Sequence, residues 1–236
     1  MKNDPERKEN PSNFLEALLV EQETEKNFSD KEIYGNVFTM LLAGQDTTSN
    51  TIAWAMYYLA QHPEIIKKAR EEAHAVYGDN ELPNSDQELH QLKYASAIAQ
   101  EAMRIRPVTP NLYMQANEDV VVNDFAIPKN TTVMLQNKVS QTREQHFSNP
   151  NEFIPERWMR GGCPMHENHE PEVFRAFGAG PRFCPGKNLA MHEMTISISM
   201  LCKHFDFALT VKPEEVLEQF AFTVFAKNLF VKLTKV

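Results

Sequence analysis

Glycine is scarce in this chain. The 8 glycines in 236 residues are about half the ordinary usage of roughly 7%. Scarcity on that scale excludes a collagen-like or linker-rich chain and leaves most of the backbone to helix and strand. Cysteine is also rare: Cys163, Cys184 and Cys202 are too few, and odd in number, for a disulfide framework, and they point to a reducing compartment. No long hydrophobic run occurs. The most apolar stretches, 37–44 and 51–60, are too short or too polar to span a bilayer, and the first ten residues lack the apolar segment of a secretory signal. Basic charge is in deficit, with Lys+Arg 24 against Asp+Glu 32 and a net charge of −8. That balance argues against a general nucleic-acid binder. The sequence reads as a soluble, cytoplasmic protein with no nucleic-acid partner and no membrane segment.

What remains is ordinary globular composition, 42% hydrophobic and 24% charged, in a chain long enough to bury a real core. Residues 1–28 are charged and irregular, with one amphipathic patch at 14–20. Ser29 and Glu32 have the spacing of a capping box and open a helix. Its apolar and small residues recur from Ile33 to Ala55 at helical spacing, and it stops at His62-Pro63. A second helix follows Pro63 to Tyr77 and closes at Gly78. A third runs from about 87 to 104 and ends before Pro107 and Pro110. Short strands and hairpin turns are predicted at 119–122, 125–127 and 131–135. Residues 141–176 read as loop, a last helix runs from after Gly186 to about 204, and segments 220–225 and 229–233 read as a hairpin turning at Lys227-Asn228. The fold class is mainly α with small β-sheets.

The few glycines cluster. Gly178, Gly180 and Gly186 surround Cys184 in the run Phe177-Gly-Ala-Gly-Pro-Arg182-Phe-Cys184-Pro-Gly186, just before the last helix. A cysteine at a helix N-terminus meets backbone N–H groups and the positive helix end, a setting that suits a thiolate. Flanking glycines let a flat ligand approach the backbone and leave amides free to bond sulfur. Arg182 is placed to hold a carboxylate. A lone cysteine is more often buried and inert, but the spacing F-x-x-G-x-R-x-C-x-G arises by chance in a chain of this length on the order of once in ten thousand.

Two further runs stand out. Gly44 interrupts the long helix at a cost of about 1 kcal/mol relative to alanine, and with Thr47 and Thr48 beside it makes a shallow notch lined by hydroxyls. A helix crossing through small residues would explain the same notch. Glu101 and Arg104 stand at i, i+3 on the third helix, where such a pair is usually a solvated bridge worth under ~1 kcal/mol. The apolar run before it, the prolines after it and the downstream Pro155-Glu-Arg157-Trp158 favour burial.

These runs together resemble the C-terminal half of a cytochrome P-450, a haem-thiolate monooxygenase, from about residue 29 to the C-terminus. The resemblance implies haem b (iron protoporphyrin IX), with Cys184 as the axial thiolate on iron, Phe177 packed near that sulfur and Arg182 a propionate partner. It further implies that Gly44, Asp46 and Thr47 lie over the distal face, where Thr47 donates a hydrogen bond to dioxygen and Asp46 relays protons. A Glu101–Arg104–Arg157 network is implied as structural support for the cysteine loop. The implied activity is hydroxylation or epoxidation of a small apolar organic substrate. Electrons would come from NAD(P)H through a flavoprotein or ferredoxin-type donor.

Two departures accompany the match. Segment 107–116 carries no basic residue for the second propionate. Family members are also much longer, so the reading expects an absent N-terminal half and, with it, any anchor. Two other readings stay open: a truncated, non-catalytic partial domain that binds haem weakly or associates with another chain, and a haem-thiolate isomerase or peroxygenase that needs no reductase. Cys163, His166 and His169 have metal-like spacing but no clear fourth ligand. His74, His90, His146 and His192 read as ordinary surface or packing residues.

Overall fold

The computed structural model describes residues 8–24, 28–159 and 169–236. The described residues up to Asp46 form one compact unit and those from Thr47 onward a second. In the first, helix α1 (Phe14–Thr24) starts where the Asn13 side chain accepts from the Glu16 N–H at 2.9 Å. It lies within the stretch read from sequence as irregular lead-in. Helix α2 (Asp30–Leu59) opens on a reciprocal cap. The Glu32 N–H donates to Ser29 Oγ at 3.3 Å, and the Ser29 N–H donates to the Glu32 carboxylate at 2.8 Å. Two of the helix's orphan donors are thereby satisfied.

In the second unit the later turns of α2 carry Trp54, Tyr58 and Leu59 into the core. Pro63 then begins helix α3 (Pro63–Tyr77), where a missing N–H costs nothing. Ile65, Ile66, Ala69, Ala73 and Tyr77 form its buried face. The predicted third helix is two elements, α4 (Asp86–Leu89) and α5 (Lys93–Ile105). The break follows from the turn at 90–92, where Leu92 leaves helical geometry at φ −74, ψ 62 and enters the core. Helix α5 is buried almost all round, and its alanines at 95, 99 and 102 allow close approach of its neighbours. Helix α7 (Lys187–His204) presents Met194, Ile198 and Cys202 to the same core at i, i+4 spacing.

Polar ties fix these helices end to end. The Glu72 carboxylate accepts from the N–H groups of Tyr94 and Ala95 at 2.6 and 3.0 Å, capping the start of α5. Arg70 donates to the carbonyls of Cys202 and Phe205 at 2.9 Å each, closing the end of α7. Lys203 is almost fully buried and donates to the Gly78 carbonyl at 2.6 Å and to that of Asn80, closing the end of α3.

Among the described residues the strands form four two-stranded antiparallel sheets. Strand β1 (Asn111–Gln115) pairs β4 (Thr132–Gln136), and β2 (Val120–Val122) pairs β3 (Phe125–Ile127). Asn123 and Asn130 take positive φ in the turns between them. A short helix, α6 (Asn137–Gln141), follows β4.

The tail corrects the sequence reading. Strand β6 (Leu217–Phe220) pairs β7 (Val224–Lys227), so the hairpin turns at 221–223 and not at Lys227-Asn228. Strand β8 (Val231–Lys235) instead pairs β5 (Phe205–Leu209), directly after α7. Asn228, at φ 62, turns the chain from one sheet to the other.

Candidate functional site

The loop before α7 is a closed turn. The Cys184 N–H donates to the Phe177 carbonyl at 2.8 Å, and the Phe183 N–H donates to the Gly180 carbonyl at 3.1 Å across the 3-10 turn Gly180–Arg182. Gly178 and Gly180 sit at φ 71 and 64, a left-handed backbone that side chains strongly disfavour. Gly186 caps α7 at an ordinary φ of −84, and a Cβ there would stand 3.8 Å from Cys184 Sγ. Phe177 is half-buried against the core, with the Lys187 ammonium 6.0 Å from its ring. Arg182 and Phe183 point to solvent. Cys184 carries a free, partly exposed thiol three residues before the first helical position.

Cys202 shows the contrast. Burial pushes its thiol up to about 12, against a weaker opposing pull from Arg70, and leaves it inert. Among the described residues, the grouping of three possible ligands is Asp86, His90 and His192, without Cys184. Haem iron, whose ring supplies its other donors, needs one thiolate from the protein, which Cys184 can offer. Exposed apolar side chains at Phe183 and Leu189 suit a flat, largely apolar ring. The residues present fit a haem.

Glu101, Arg104 and Arg157 meet in the core. Glu101 and Arg104 have no exposed surface and Arg157 only 3%. The Glu101 carboxylate accepts from Arg104 Nε and Nη2 at 2.9 and 2.8 Å, Arg157 Nε at 3.1 Å, Trp158 Nε1 at 2.9 Å and the Ile154 N–H at 3.0 Å. Arg104 Nη1 reaches the carbonyls of Gln141 and Pro150 at 2.8 Å each, and Arg157 Nη2 that of Asn149 at 2.8 Å. Burial lowers the Arg157 guanidinium despite Glu101 opposing it. Trp158 was not singled out from sequence; its position directly after Arg157 was the available signal.

The middle of α2 carries the other sequence candidates. Gly44 is exposed, and an added Cβ there would meet nothing within 4 Å. Asp46 and Thr47 are partly buried, Thr48 is buried, and Thr51 Oγ1 donates back to the Thr47 carbonyl at 2.8 Å. Arg106, directly before the segment that lacks a basic residue, is already committed. It pairs with Glu218, which Lys138 also holds at 2.6 Å, and its guanidinium lies 5.2 Å from the Trp54 ring.

Cys163 and His166 lie outside the described residues. His169 packs edge-on against Phe147 and Trp158. Burial, followed by Arg157, pushes its imidazole below the ordinary histidine range, so it is neutral at pH 7.

Comparison with known proteins decides the family. The chain matches cytochrome P450 over residues 1–233. It belongs to the cytochrome P450 family. A self-sufficient cytochrome P450 monooxygenase, CYP505E3, of Phanerodontia chrysosporium is 34% identical across 86% of this chain and 20% of that protein. The mitochondrial 25-hydroxyvitamin D-1 alpha hydroxylase of Homo sapiens is 36% identical across 78% of this chain and 35% of its own length. The solved cytochrome P450 CYP102L1 superposes at a TM-score of 0.83 with 25% identity, covering 98% of this chain and 53% of that one. The chain thus spans a fifth to about two-fifths of the length of the curated P450 relatives it matches. The P450 fold is helix-rich with small sheets, as this structure is. The match reaches residue 1, beyond the region from 29 onward in which the sequence motifs lie. Among the described residues no helix is long and apolar enough to cross a membrane.

Proposed function

We propose that residues 29–236, behind the charged lead-in 1–28, supply the thiolate-bearing part of a haem-thiolate monooxygenase domain that oxidises a small apolar organic substrate. The observation that carries this reading is Cys184: a free, partly exposed thiol on a turn whose two glycines hold positive φ, outside the three-ligand grouping among the described residues. Bound at this loop, haem supplies oxygen activation and insertion, driven by two electrons from NAD(P)H through a flavoprotein or ferredoxin-type donor.

The chain's own residues then have distinct tasks. Cys184 offers the thiolate, and the hydrogen bond from its N–H to Phe177 fixes the loop that presents it. Gly178 and Gly180 keep that loop free of side chains, and Gly186 starts α7 beside the sulfur. Arg182, exposed on the same loop, pairs with a propionate. Thr47 holds a proton at its hydroxyl for delivery, and Asp46, one residue earlier on α2, resupplies it. Gly44 keeps the adjoining helix turn free of a side chain. Glu101, Arg104 and Arg157 clamp residues 149–158, upstream of the cysteine loop.

Haem reconstitution tests the assignment. The reduced carbonyl complex of the wild-type chain should show the long-wavelength Soret band of a thiolate-ligated haem, and Cys184→Ser should lose it. A wild-type chain that takes up haem without that band refutes the reading.

The length of the chain relative to its relatives favours a second reading, a partial domain that is not catalytic alone. Measuring haem per chain, cooperative unfolding and NAD(P)H-dependent oxygen uptake with a reductase separates the two. Sub-stoichiometric haem without uptake supports the second. Oxidation that needs no reductase would instead indicate isomerase or peroxygenase chemistry, against which the Asp46-Thr47 pair stands.

A further inference from the structure

Away from the cysteine loop, three ligand-bearing side chains converge at the junction of α4 and α7. Asp86 opens α4, His90 follows its last residue, and His192 lies on α7. One ligand atom from each lies within 4.8 Å of the other two. The backbone holds the first pair in register. Ser85 caps α4 by accepting from the Glu88 N–H at 3.2 Å, and the His90 N–H donates to the Asp86 carbonyl at 2.9 Å. Their side chains therefore rise from the same face, one turn apart. Glu88 is turned to a different task, since its carboxylate accepts from the Asn84 N–H at 2.6 Å. His192 is fixed by an eighteen-residue helix whose neighbouring residues Met194 and Thr195 are buried.

The spacing suits a shared cation better than direct contact. His90 Nδ1 and Asp86 Oδ1 are 3.6 Å apart, beyond the ~2.7–3.2 Å of a good hydrogen bond. Two ligand atoms bound to one tetrahedral zinc at about 2.0–2.1 Å stand roughly 3.3–3.4 Å from each other. The His90 and His192 rings lie 5.8 Å apart between centroids, tilted by 63°. Two imidazoles on one tetrahedral metal place their centroids at about 5–6 Å. Two nitrogens and one carboxylate oxygen are a borderline donor set, which selects zinc and its first-row neighbours over calcium or magnesium.

We propose that Asp86, His90 and His192 form a three-ligand zinc site, with water completing the coordination. Asp86 and His90 are exposed, so the ion enters from solvent and exchanges with it. Bound zinc joins α4 to α7, the helix that begins three residues after Cys184, and acts as a removable clip on that helix rather than as a reaction centre. The site is independent of the haem assignment, because Cys184 is not among its ligands.

The test titrates the 236-residue chain with zinc against a chromogenic chelator and repeats the titration with cobalt(II), whose absorption reports its ligands. One metal per chain is expected, with no thiolate-to-metal charge-transfer band. Affinity should fall about tenfold or more in His90→Asn and in His192→Asn, and should hold in a Cys163→Ser/His166→Ala variant. His90 is the deciding position, since its exposed side chain can be replaced without disturbing the core. Undiminished zinc affinity in His90→Asn overturns the proposal. So does a thiolate band at stoichiometric cobalt, or a loss of binding confined to Cys163→Ser/His166→Ala, which would place the metal in the 163–169 segment.

Discussion

Replacing Glu101 by glutamine changes one atom of the carboxylate and almost nothing of its volume, yet it strikes a buried carboxylate that accepts five hydrogen bonds. One carboxylate oxygen accepts from Arg104 Nη2, Arg157 Nε and the Ile154 N–H, and the other from Arg104 Nε and Trp158 Nε1. An amide has one acceptor oxygen and one NH2 donor. Whichever way it is turned, its NH2 faces at least two of these donors. The substitution also removes the negative charge that balances two buried guanidinium groups. Breaking a buried pair by removing one partner costs about 3–5 kcal/mol, a large fraction of the 5–15 kcal/mol that typically holds a domain together. For a chain of this size the urea slope lies near the top of its usual range, ~3 kcal/mol per molar, so the unfolding midpoint should fall by about 1–1.7 M. Urea denaturation followed by circular dichroism reads this directly. A loss below ~1 kcal/mol, the value of a solvent-exposed pair, would refute the claim that this network is dry and indispensable.

Glu156 gives a pH-dependent counterpart. Burial alone would raise its carboxyl, but the Lys68 ammonium at 2.6 Å and the Tyr94 hydroxyl at 2.8 Å outweigh it and hold the group below the ordinary range. A depressed folded pKa gives stability that is present above the unfolded value of about 4.3 and is lost as pH falls through the folded one. Glu156→Gln should therefore be less stable than wild type at pH 7, and the gap in unfolding midpoints should close as pH falls through the depressed carboxyl pKa; an equal gap at neutral and at acid pH would exclude the ion-pair account. Thr47→Ala should retain haem and thiolate ligation while diverting electrons to peroxide, read as peroxide formed per NAD(P)H consumed. Unchanged coupling would remove Thr47 from proton delivery.

Local signals in the sequence located elements well where a backbone group had to be satisfied or was missing. Ser29 and Glu32 sit at capping-box spacing, and the cap forms with both reciprocal bonds. Pro63 lacks an N–H, and a helix starts at that residue. Pairing partners were harder to read. Segments 220–225 and 229–233 both have strand character, but alternation says which face a strand buries, not which strand lies beside it. The actual partner of 231–235 is 205–209, a segment hidden at the end of a helix that supplies no turn signal of its own. The strand at 111–115 was missed for a related reason. It follows two prolines and leaves four of its five residues exposed, so it lacks a buried alternating face.

The same distinction separates the two candidate sites. Everything that shapes the Cys184 turn lies within ten consecutive residues, so spacing alone exposes it: Gly178 and Gly180 are needed at positive φ where they stand, and the hydrogen bond from the Cys184 N–H to the Phe177 carbonyl holds the turn that presents the cysteine. Asp86 and His192 lie 106 residues apart in the sequence and meet because α4 packs on α7. No spacing rule encodes that approach. It is a product of the core, where Ala69, Ala73, Ala95 and Ala99 let α3, α5 and α7 close on one another, and the short α4 that precedes α5 is carried against α7 as a consequence. The cluster at Asp86 is thus a property of tertiary packing. A substitution that enlarges Ala99 in that core should disturb the α4–α7 junction while leaving the geometry internal to the cysteine turn intact.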